Sequence, residues 1–158
     1  MTNFFLIITI LGSWKTILFL NILILIKLKL SKTNLLIITS SLSNLFVVEP
    51  LKYIFKEIRP VNVYESSYSF PSGHSYSAIT FYGLITYLLY KKYKLKSIPI
   101  IGTMFILFIA YSRIYLGVHY LHDVLAGLLL GLIWLYFLQK TFGDKIQNKN
   151  TSNASKNT

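Results

Sequence analysis

The sequence predicts an all-α protein, a polytopic transmembrane helix bundle with five full spans and, in addition, a short interfacial helix at the N-terminus. Three observations support this class. Hydrophobic residues make up 54% of the 158 residues, and the mean hydropathy is +0.56. The apolar residues fall in runs long enough to cross the hydrocarbon core, which takes about 20 helical residues. Lysines collect in short clusters between these runs, as they do in loops that orient membrane proteins.

The N-terminal run from Phe4 to Ile26 is long enough to span, but Lys15 lies in its middle. Either one span turns Lys15 toward protein, or a short interfacial segment is followed by a span from about Thr16 to Leu30. The second alternative is favoured, because Trp14 and Lys15 are natural anchors at a membrane interface.

Four further spans follow, and together they place the chain in a single membrane domain of residues 1–142. The polar segment Lys56 to Ser75 separates the second span from the third. Residues 143–158, rich in Asn, Lys, Ser and Thr, predict a disordered cytoplasmic tail. The four predicted spans are Asn34 to Phe55, Tyr76 to Tyr90, Ile98 to Ile114 and Tyr120 to Leu138.

The charge pattern predicts orientation and argues against nucleic acid as a partner. The net charge is +11, but it comes from lysine clusters that all lie on one side when five spans alternate. The positive-inside rule makes that side cytoplasmic, so the two polar stretches Lys56 to Ser75 and Arg113 to His119 face outward together. The chain has no cysteine, which excludes disulfides and thiolate metal sites.

The stretch from Ser112 to Asp123 holds a cation, a candidate nucleophile and a candidate orienting carboxylate. If a helix follows Gly117, His119 and Asp123 are an i, i+4 pair, so the carboxylate can accept one ring N–H and leave the other nitrogen free. A phosphoryl group on His119 would then lie near a helix N-terminus, and Arg113 could bind the same anion. Alternatively, Arg113 and Asp123 form a structural ion pair and His119 only packs at the interface.

Two segments upstream of Ser112 contain residues that can bind the same anion or donate a proton to it. Lys52 and Arg59 are about two helical turns apart, so both can project from one face toward an anionic headgroup, or else snorkel to lipid phosphates. Ser72 and the Gly73 amide precede an apolar run and can meet an anion at a helix start. His74 can bring a proton donor to the same place, although a capping role explains it equally well in isolation.

The three segments Lys52-x6-Arg59-Pro60, Pro71-Ser72-Gly73-His74 and Ser112-Arg113-x5-His119-x3-Asp123 stand together in a recognisable order and spacing. They resemble the signature of the type 2 phosphatidic acid phosphatase family, the membrane lipid phosphatases related to vanadium haloperoxidases. Membrane members of that family usually have six spans. The shortened N-terminal span of this chain departs from that pattern and leaves its N-terminal packing and lipid entry route open.

The resemblance implies a role for each signature residue. His119 would be the nucleophile that forms a phosphohistidine, Asp123 would hold its ring, and His74 would protonate the leaving lipid oxygen and then activate water. No metal or other cofactor would be needed, because protein cations stabilise the transition-state charge. His122 has no role in the signature and is expected to pack or to form an interfacial hydrogen bond. The phosphate oxygens would be held by Lys52, Arg59, Ser72, the Gly73 amide and Arg113.

The expected function is therefore hydrolysis of a phosphomonoester or diphosphate of a membrane lipid. Bacterial relatives handle phosphatidylglycerol phosphate, undecaprenyl diphosphate, phosphatidic acid or the 1-phosphate of lipid A, and the sequence does not choose among them. The expected location is the bacterial inner (cytoplasmic) membrane, with the site facing the periplasm. Two alternatives stay open: a non-catalytic lipid-binding or transport protein, and a metal-dependent membrane hydrolase using His74, His119, His122 and Asp123, whose spacing is unusual for zinc.

Overall fold

The computed structural model of the chain describes residues 2–27, 32–60 and 67–154, and in this part of the chain the regular structure is entirely helical. A π-helical segment, Ala78–Gly83, joins the fourth helix to the fifth without a break. The helices are α1 (Thr2–Leu11), α2 (Trp14–Lys27), α3 (Lys32–Phe55), α4 (Gly73–Ser77), α5 (Leu84–Tyr93), α6 (Ser97–Tyr115) and α7 (Leu121–Ala154).

The N-terminal run is broken into two helices at the residues where the favoured alternative divides it. Helices α1 and α2 meet at an angle of 49° across Gly12 and Ser13. The hydroxyl of Thr16 donates to the carbonyl of Ile10 at 2.7 Å, and the Ser13 and Thr16 hydroxyls lie 3.0 Å apart. These bonds satisfy polar groups that the helix break would otherwise leave open. Residues 9–16 are called the elbow below.

Among the described residues, three helices are long and apolar enough to cross a membrane: Thr33–Phe55, Ser97–Tyr115 and Leu121–Thr141. The bent pair α1–α2 raises the number to four if it counts as one span. Large apolar side chains on these helices are exposed, which suits a surface covered by lipid. The chain is thus an integral membrane helix bundle, whereas the prediction of five full spans is not confirmed by these criteria.

The predicted third span begins three residues earlier than expected and contains the π-helical segment. Such a segment frees a backbone carbonyl from the regular helical pattern. The Ser40 hydroxyl of α3 donates to the carbonyl of Thr80 at 2.6 Å, and both residues are fully buried. The irregular turn is therefore satisfied by a neighbouring helix.

The end of α6 is built so that the chain turns sharply into α7. Gly117 has a φ of 68°, a conformation that favours glycine, and its N–H donates to the carbonyl of Ile114 at 2.9 Å. Helix α7 runs to Ala154, so the backbone of residues 143–154 is helical where the sequence predicts a disordered tail; the domain boundary at residue 142 stays a prediction.

Helix α7 packs closely against α4 through two glycines four residues apart. A Cβ on Gly127 would lie 2.5 Å from the Ser72 carbonyl oxygen, and one on Gly131 would lie 2.9 Å from the Cβ of Ile79. Small residues at this spacing let membrane helices approach backbone to backbone. The contact brings the start of α4 to the first turns of α7.

Replacing Gly127 with alanine should destabilise the bundle, because the new methyl group would collide with a backbone carbonyl that cannot rotate away. We expect a cost of about 1–3 kcal/mol. Thermal unfolding in detergent measures it. The matched control is Gly83→Ala, whose Cβ would meet the movable end of Leu135 at 3.0 Å. Equal unfolding temperatures for the two variants would contradict this account of the α4–α7 contact.

Candidate active site

The predicted nucleophile and its partner lie where the α6–α7 turn enters α7. His119 and Asp123 are both buried, and His119 Nδ1 is 3.2 Å from Asp123 Oδ2. The other ring nitrogen, Nε2, is 3.1 Å from Arg59 Nη1. A guanidinium can only donate, so Nε2 accepts and the ring proton resides on Nδ1, facing the carboxylate. This is the tautomer in which Nε2 carries a lone pair for attack.

The Asp123 carboxylate binds more than the histidine. Its Oδ2 accepts a hydrogen bond from the Tyr120 N–H at 2.8 Å and another from the Ser69 hydroxyl. The Tyr120 bond is one half of a capping box at the start of α7. Ser69 Oγ also lies 3.3 Å from His119 Nδ1 and is fully buried. Ser69 was not predicted from the sequence, since no spacing rule connects it to residues fifty positions away.

Arg59 is held in place by backbone oxygens from two segments. Its Nε donates to the Ser67 carbonyl at 2.9 Å, and its Nη1 donates to the Val118 carbonyl at 3.0 Å. The Ser67 hydroxyl accepts from Arg59 Nη2 at 3.0 Å and lies 3.4 Å from Lys52 Nζ. Lys52 also approaches a carboxylate oxygen of Glu49 at 3.6 Å. The two predicted phosphate-binding cations thus converge on one serine, Ser67, which the sequence did not single out.

Arg113 lies deeper, at the end of α6. It is 3% exposed, and its Nη1 donates to the hydroxyl of Thr9 at 2.7 Å. The ion pair between Arg113 and Asp123, which the alternative interpretation offers, is not among the described contacts; the carboxylate is bound by the groups named above. Arg113 still lies near enough to lower the pKa of His119.

The predicted helix start at the tetrapeptide is present. Ser72 is the N-cap of α4, and its hydroxyl accepts from the Ser75 N–H at 3.5 Å and from the Ser75 hydroxyl at 3.0 Å. The Ser72 N–H donates to the Asp123 carbonyl at 3.0 Å, which joins the tetrapeptide to α7. The Gly73 carbonyl accepts from the Asn44 side chain at 3.0 Å. Ser72 therefore serves first to shape the loop.

The nucleophile of the signature is shifted toward the neutral form. Burial lowers the pKa of His119, the charges of Arg59 and Arg113 lower it further, and the hydrogen bond with Asp123 opposes that change. At neutral pH the His119 imidazole is consequently uncharged before an anion arrives.

A cavity of about 840 Å³ opens at this site and extends between α2 and α3. Its far walls come from Trp14, Leu18 and Asn21 on one side and from Ser41 and Leu45 on the other. Three predicted residues, Ser72, Arg113 and Asp123, lie outside its lining and are buried behind it. The five predicted site residues that line it are Lys52, Arg59, Gly73, His74 and His119.

His122 forms the interfacial hydrogen bond expected of it. Its Nε2 lies 2.7 Å from Glu57 Oε1 and 3.2 Å from Asp123 Oδ1. Within the described part of the chain, these three residues are the group whose ligand atoms come close enough to hold a metal ion. The group includes neither His74 nor His119, so it differs from the metal set considered as an alternative in the sequence.

Comparison with known proteins connects this geometry to a family. The model of the PAP2 superfamily matches residues 33–147. Phosphatidylglycerophosphatase B of Bacillus subtilis is 42% identical over 115 residues, which are 69% of this chain and 55% of that protein. Undecaprenyl-diphosphatase of Sulfolobus acidocaldarius is 34% identical over 125 residues, which are 73% of this chain and 58% of that protein. The chain thus spans less than two thirds of these relatives.

Two crystal structures are also similar. The transmembrane PAP2 type phosphatidylglycerolphosphate phosphatase from Bacillus subtilis superposes with a TM-score of 0.80 at 35% identity, covering 92% of this chain and 77% of that one. Aquifex aeolicus LpxE superposes with a TM-score of 0.72 at 28% identity, covering 88% of this chain and 85% of that one. With the family model matching most of its length and these relatives sharing its fold, the chain belongs to the PAP2 superfamily, the type 2 phosphatidic acid phosphatases.

Proposed function

We propose that this chain is a metal-independent lipid phosphatase that works through a phosphohistidine on His119. The observation that carries the proposal is the orientation of that ring: Nδ1 faces the buried Asp123 carboxylate, and Nε2 faces Arg59 at the end of the cavity. This arrangement readies a nitrogen nucleophile beside cations that suit an anion.

In the first step the substrate phosphate displaces the contact between Arg59 and His119, and Nε2 attacks phosphorus. The N–P bond forms as the bond to the lipid oxygen breaks, and Asp123 stabilises the imidazolium. His74 gives its proton to the leaving oxygen. Because the bound phosphate is negatively charged, it favours the protonated form of His74.

In the second step water replaces the lipid alcohol. His74, now neutral, accepts a proton from the water, whose oxygen attacks phosphorus while the N–P bond to His119 breaks. Inorganic phosphate leaves, and both histidines return to their starting state. Lys52, Arg59 and Arg113, with Ser72 and the Gly73 amide, hold the equatorial oxygens through both steps.

The substrate class follows from the cavity and from the relatives. The cavity runs between α2 and α3, two helices with exposed apolar surfaces, so a lipid tail can lie there while the phosphate reaches His119. Relatives are named for phosphatidylglycerophosphate and undecaprenyl diphosphate. The candidates for this chain are these two lipids, phosphatidic acid and lipid A 1-phosphate.

The membrane arrangement is also a proposal. Counting α1–α2 as one bent span and the continuous run α4–α5 as another gives five spans for residues 1–142. The lysine clusters then face the cytoplasm, and the site faces the outer side of a bacterial cytoplasmic membrane. Of the charged site residues, Lys52 and Arg59 line the cavity, where water can reach them. Arg113 and Asp123 lie behind it and are hydrogen-bonded to other protein groups.

The variant His119→Ala should lose activity by at least about a thousandfold on a lipid phosphate, because the nucleophile is removed. It should stay folded with a lower unfolding temperature, because Asp123 loses one of its donors. Orthovanadate should inhibit the parent protein as a mimic of five-coordinate phosphorus, and EDTA should not. His122→Ala, which also removes an imidazole, should cause a much smaller loss because His122 lies outside the cavity. Activity retained by His119→Ala, or abolished by EDTA and restored by zinc, would contradict the mechanism.

Ser69→Ala should lower kcat about tenfold with little change in KM, because Asp123 loses one donor and orients the His119 ring less well. Asp123→Asn should lower kcat further, since it disturbs the tautomer as well. Ser43→Ala is the control: Ser43 is equally buried, but its hydroxyl contacts Ser40 and Tyr76 in the core. If Ser69→Ala and Ser43→Ala had the same kcat, Ser69 would have no part in orienting the ring.

Labelling of engineered cysteines checks the orientation. In intact cells a thiol reagent that cannot cross membranes should label the Ser66→Cys variant and not the Ser97→Cys variant. Position 66 lies outside the described residues, and the lysine pattern of the sequence predicts that the loop carrying it faces outward while Ser97 faces the cytoplasm. The parent chain has no cysteine, so it serves as the blank. The reverse labelling pattern would place the site in the cytoplasm.

A further inference from the structure

The elbow between α1 and α2 is in direct contact with the candidate active site. The Thr9 hydroxyl accepts a hydrogen bond from Arg113 Nη1 at 2.7 Å, and both residues are buried. Gly12, also buried, packs so closely that a Cβ there would lie 3.4 Å from the His74 ring and 2.5 Å from Ile109. The elbow thus touches one proposed phosphate-binding cation and the proposed general acid.

A hydrogen bond to the elbow and aromatic packing of α1 hold the N-terminal helices against the bundle. The Tyr82 hydroxyl donates to the carbonyl of Leu11 at 2.7 Å, which satisfies a carbonyl at the end of α1. Phe5 packs against Tyr111 and Tyr115 of α6, with ring centroids 5.6 and 4.2 Å apart. These contacts fix the height of Thr9 along α6, opposite the last turn that carries Arg113.

From this geometry we propose that Thr9, near the end of α1, is a positioning residue for Arg113 and thereby supports the phosphate-binding site. The proposal rests on the proposed function, in which Arg113 binds the substrate phosphate. Arginine has several rotatable bonds, and ordering it only when substrate arrives would cost affinity. One N–H held by Thr9 presets the plane of the guanidinium, and with it the directions of the other donors of the fork.

The hydroxyl groups of Ser13 and Thr16, the other two in the elbow, have a different role. Thr16 donates to Ile10 and contacts Ser13, so both stay within the elbow. Thr9 is the elbow hydroxyl with a described bond to a signature residue. Thr16 therefore provides a matched control for Thr9, because replacing either threonine with valine removes one hydroxyl group and keeps the size of the side chain.

The experiment compares Thr9→Val, Thr9→Ser and Thr16→Val in detergent-solubilised full-length protein. For each variant kcat, KM, the inhibition constant of inorganic phosphate and the unfolding temperature are measured. We expect Thr9→Val to lower kcat/KM about tenfold and to weaken phosphate inhibition, as loss of a hydrogen bond to a charged group does. Thr9→Ser, which keeps the acceptor, and Thr16→Val should stay within about twofold of the parent. If Thr9→Val does not fold, Thr9→Ala replaces it.

A double-mutant cycle decides whether Thr9 acts through Arg113. Arg113→Met removes the donor, so adding Thr9→Val to it should cause no further loss. The proposal is overturned if Thr9→Val keeps the parent's kcat/KM and phosphate inhibition, if Thr9→Ser is as impaired as Thr9→Val, or if the two losses simply add. If Arg113→Met itself is fully active, the error lies in the proposed role of Arg113 in phosphate binding, and the role of Thr9 falls with it.

Discussion

The carboxylate of Asp123 is the interaction on which the rest of the site depends. It is fully buried, a costly place for a charge unless several donors compensate it. Those donors come from separate parts of the chain: Ser69 in the loop before α4, Tyr120 at the start of α7, and the His119 ring. The helix N-terminus adds a favourable field. Because one group caps the helix, anchors the loop and orients the histidine, its loss would disturb local folding and chemistry together.

The cations, like the carboxylate, are held in position by hydrogen bonds to neighbouring protein groups. Arg59 is bound by the carbonyls of Ser67 and Val118, so its position is set by backbone rather than by mobile side chains. Arg113 is bound by Thr9. Charged groups near the hydrocarbon region persist only where they are paired or meet water, and the cavity supplies the second condition. Fixed cations of this kind need little rearrangement as charge develops on a transferring phosphoryl group.

The sequence predicts which residues come together at the candidate site better than it predicts the contacts that support them. His119 and Asp123 are four residues apart, Ser72 to His74 are consecutive, and Gly117 permits the turn between helices; local rules cover all of them. Ser69 and Thr9 contact partners 54 and 104 positions away, and only the folded path of the chain brings them there. The helix break near Lys15 was one of two alternatives. The number of spans was harder still to predict. The bend between α1 and α2 and the π-helical segment between α4 and α5 interrupt regular helix within apolar runs that are continuous in hydropathy.

In the proposed function, the elbow lies between the part of the cavity that would hold the phosphate and the part that would hold the rest of the lipid. Lipids proposed for this chain share a phosphate but differ in the groups that follow it, so a site that accepts one of them needs a constant end and an adjustable one. In the proposed function the phosphate end would be held by residues of α3 to α7 that lie within the family's matched segment. The cavity walls proposed for the lipid tail include Trp14, Leu18 and Asn21 of α2, which precede that segment. Since Thr9 and Gly12 join those walls to Arg113 and His74, a change in the N-terminal helices would alter the lipid side and the phosphate side of the cavity together.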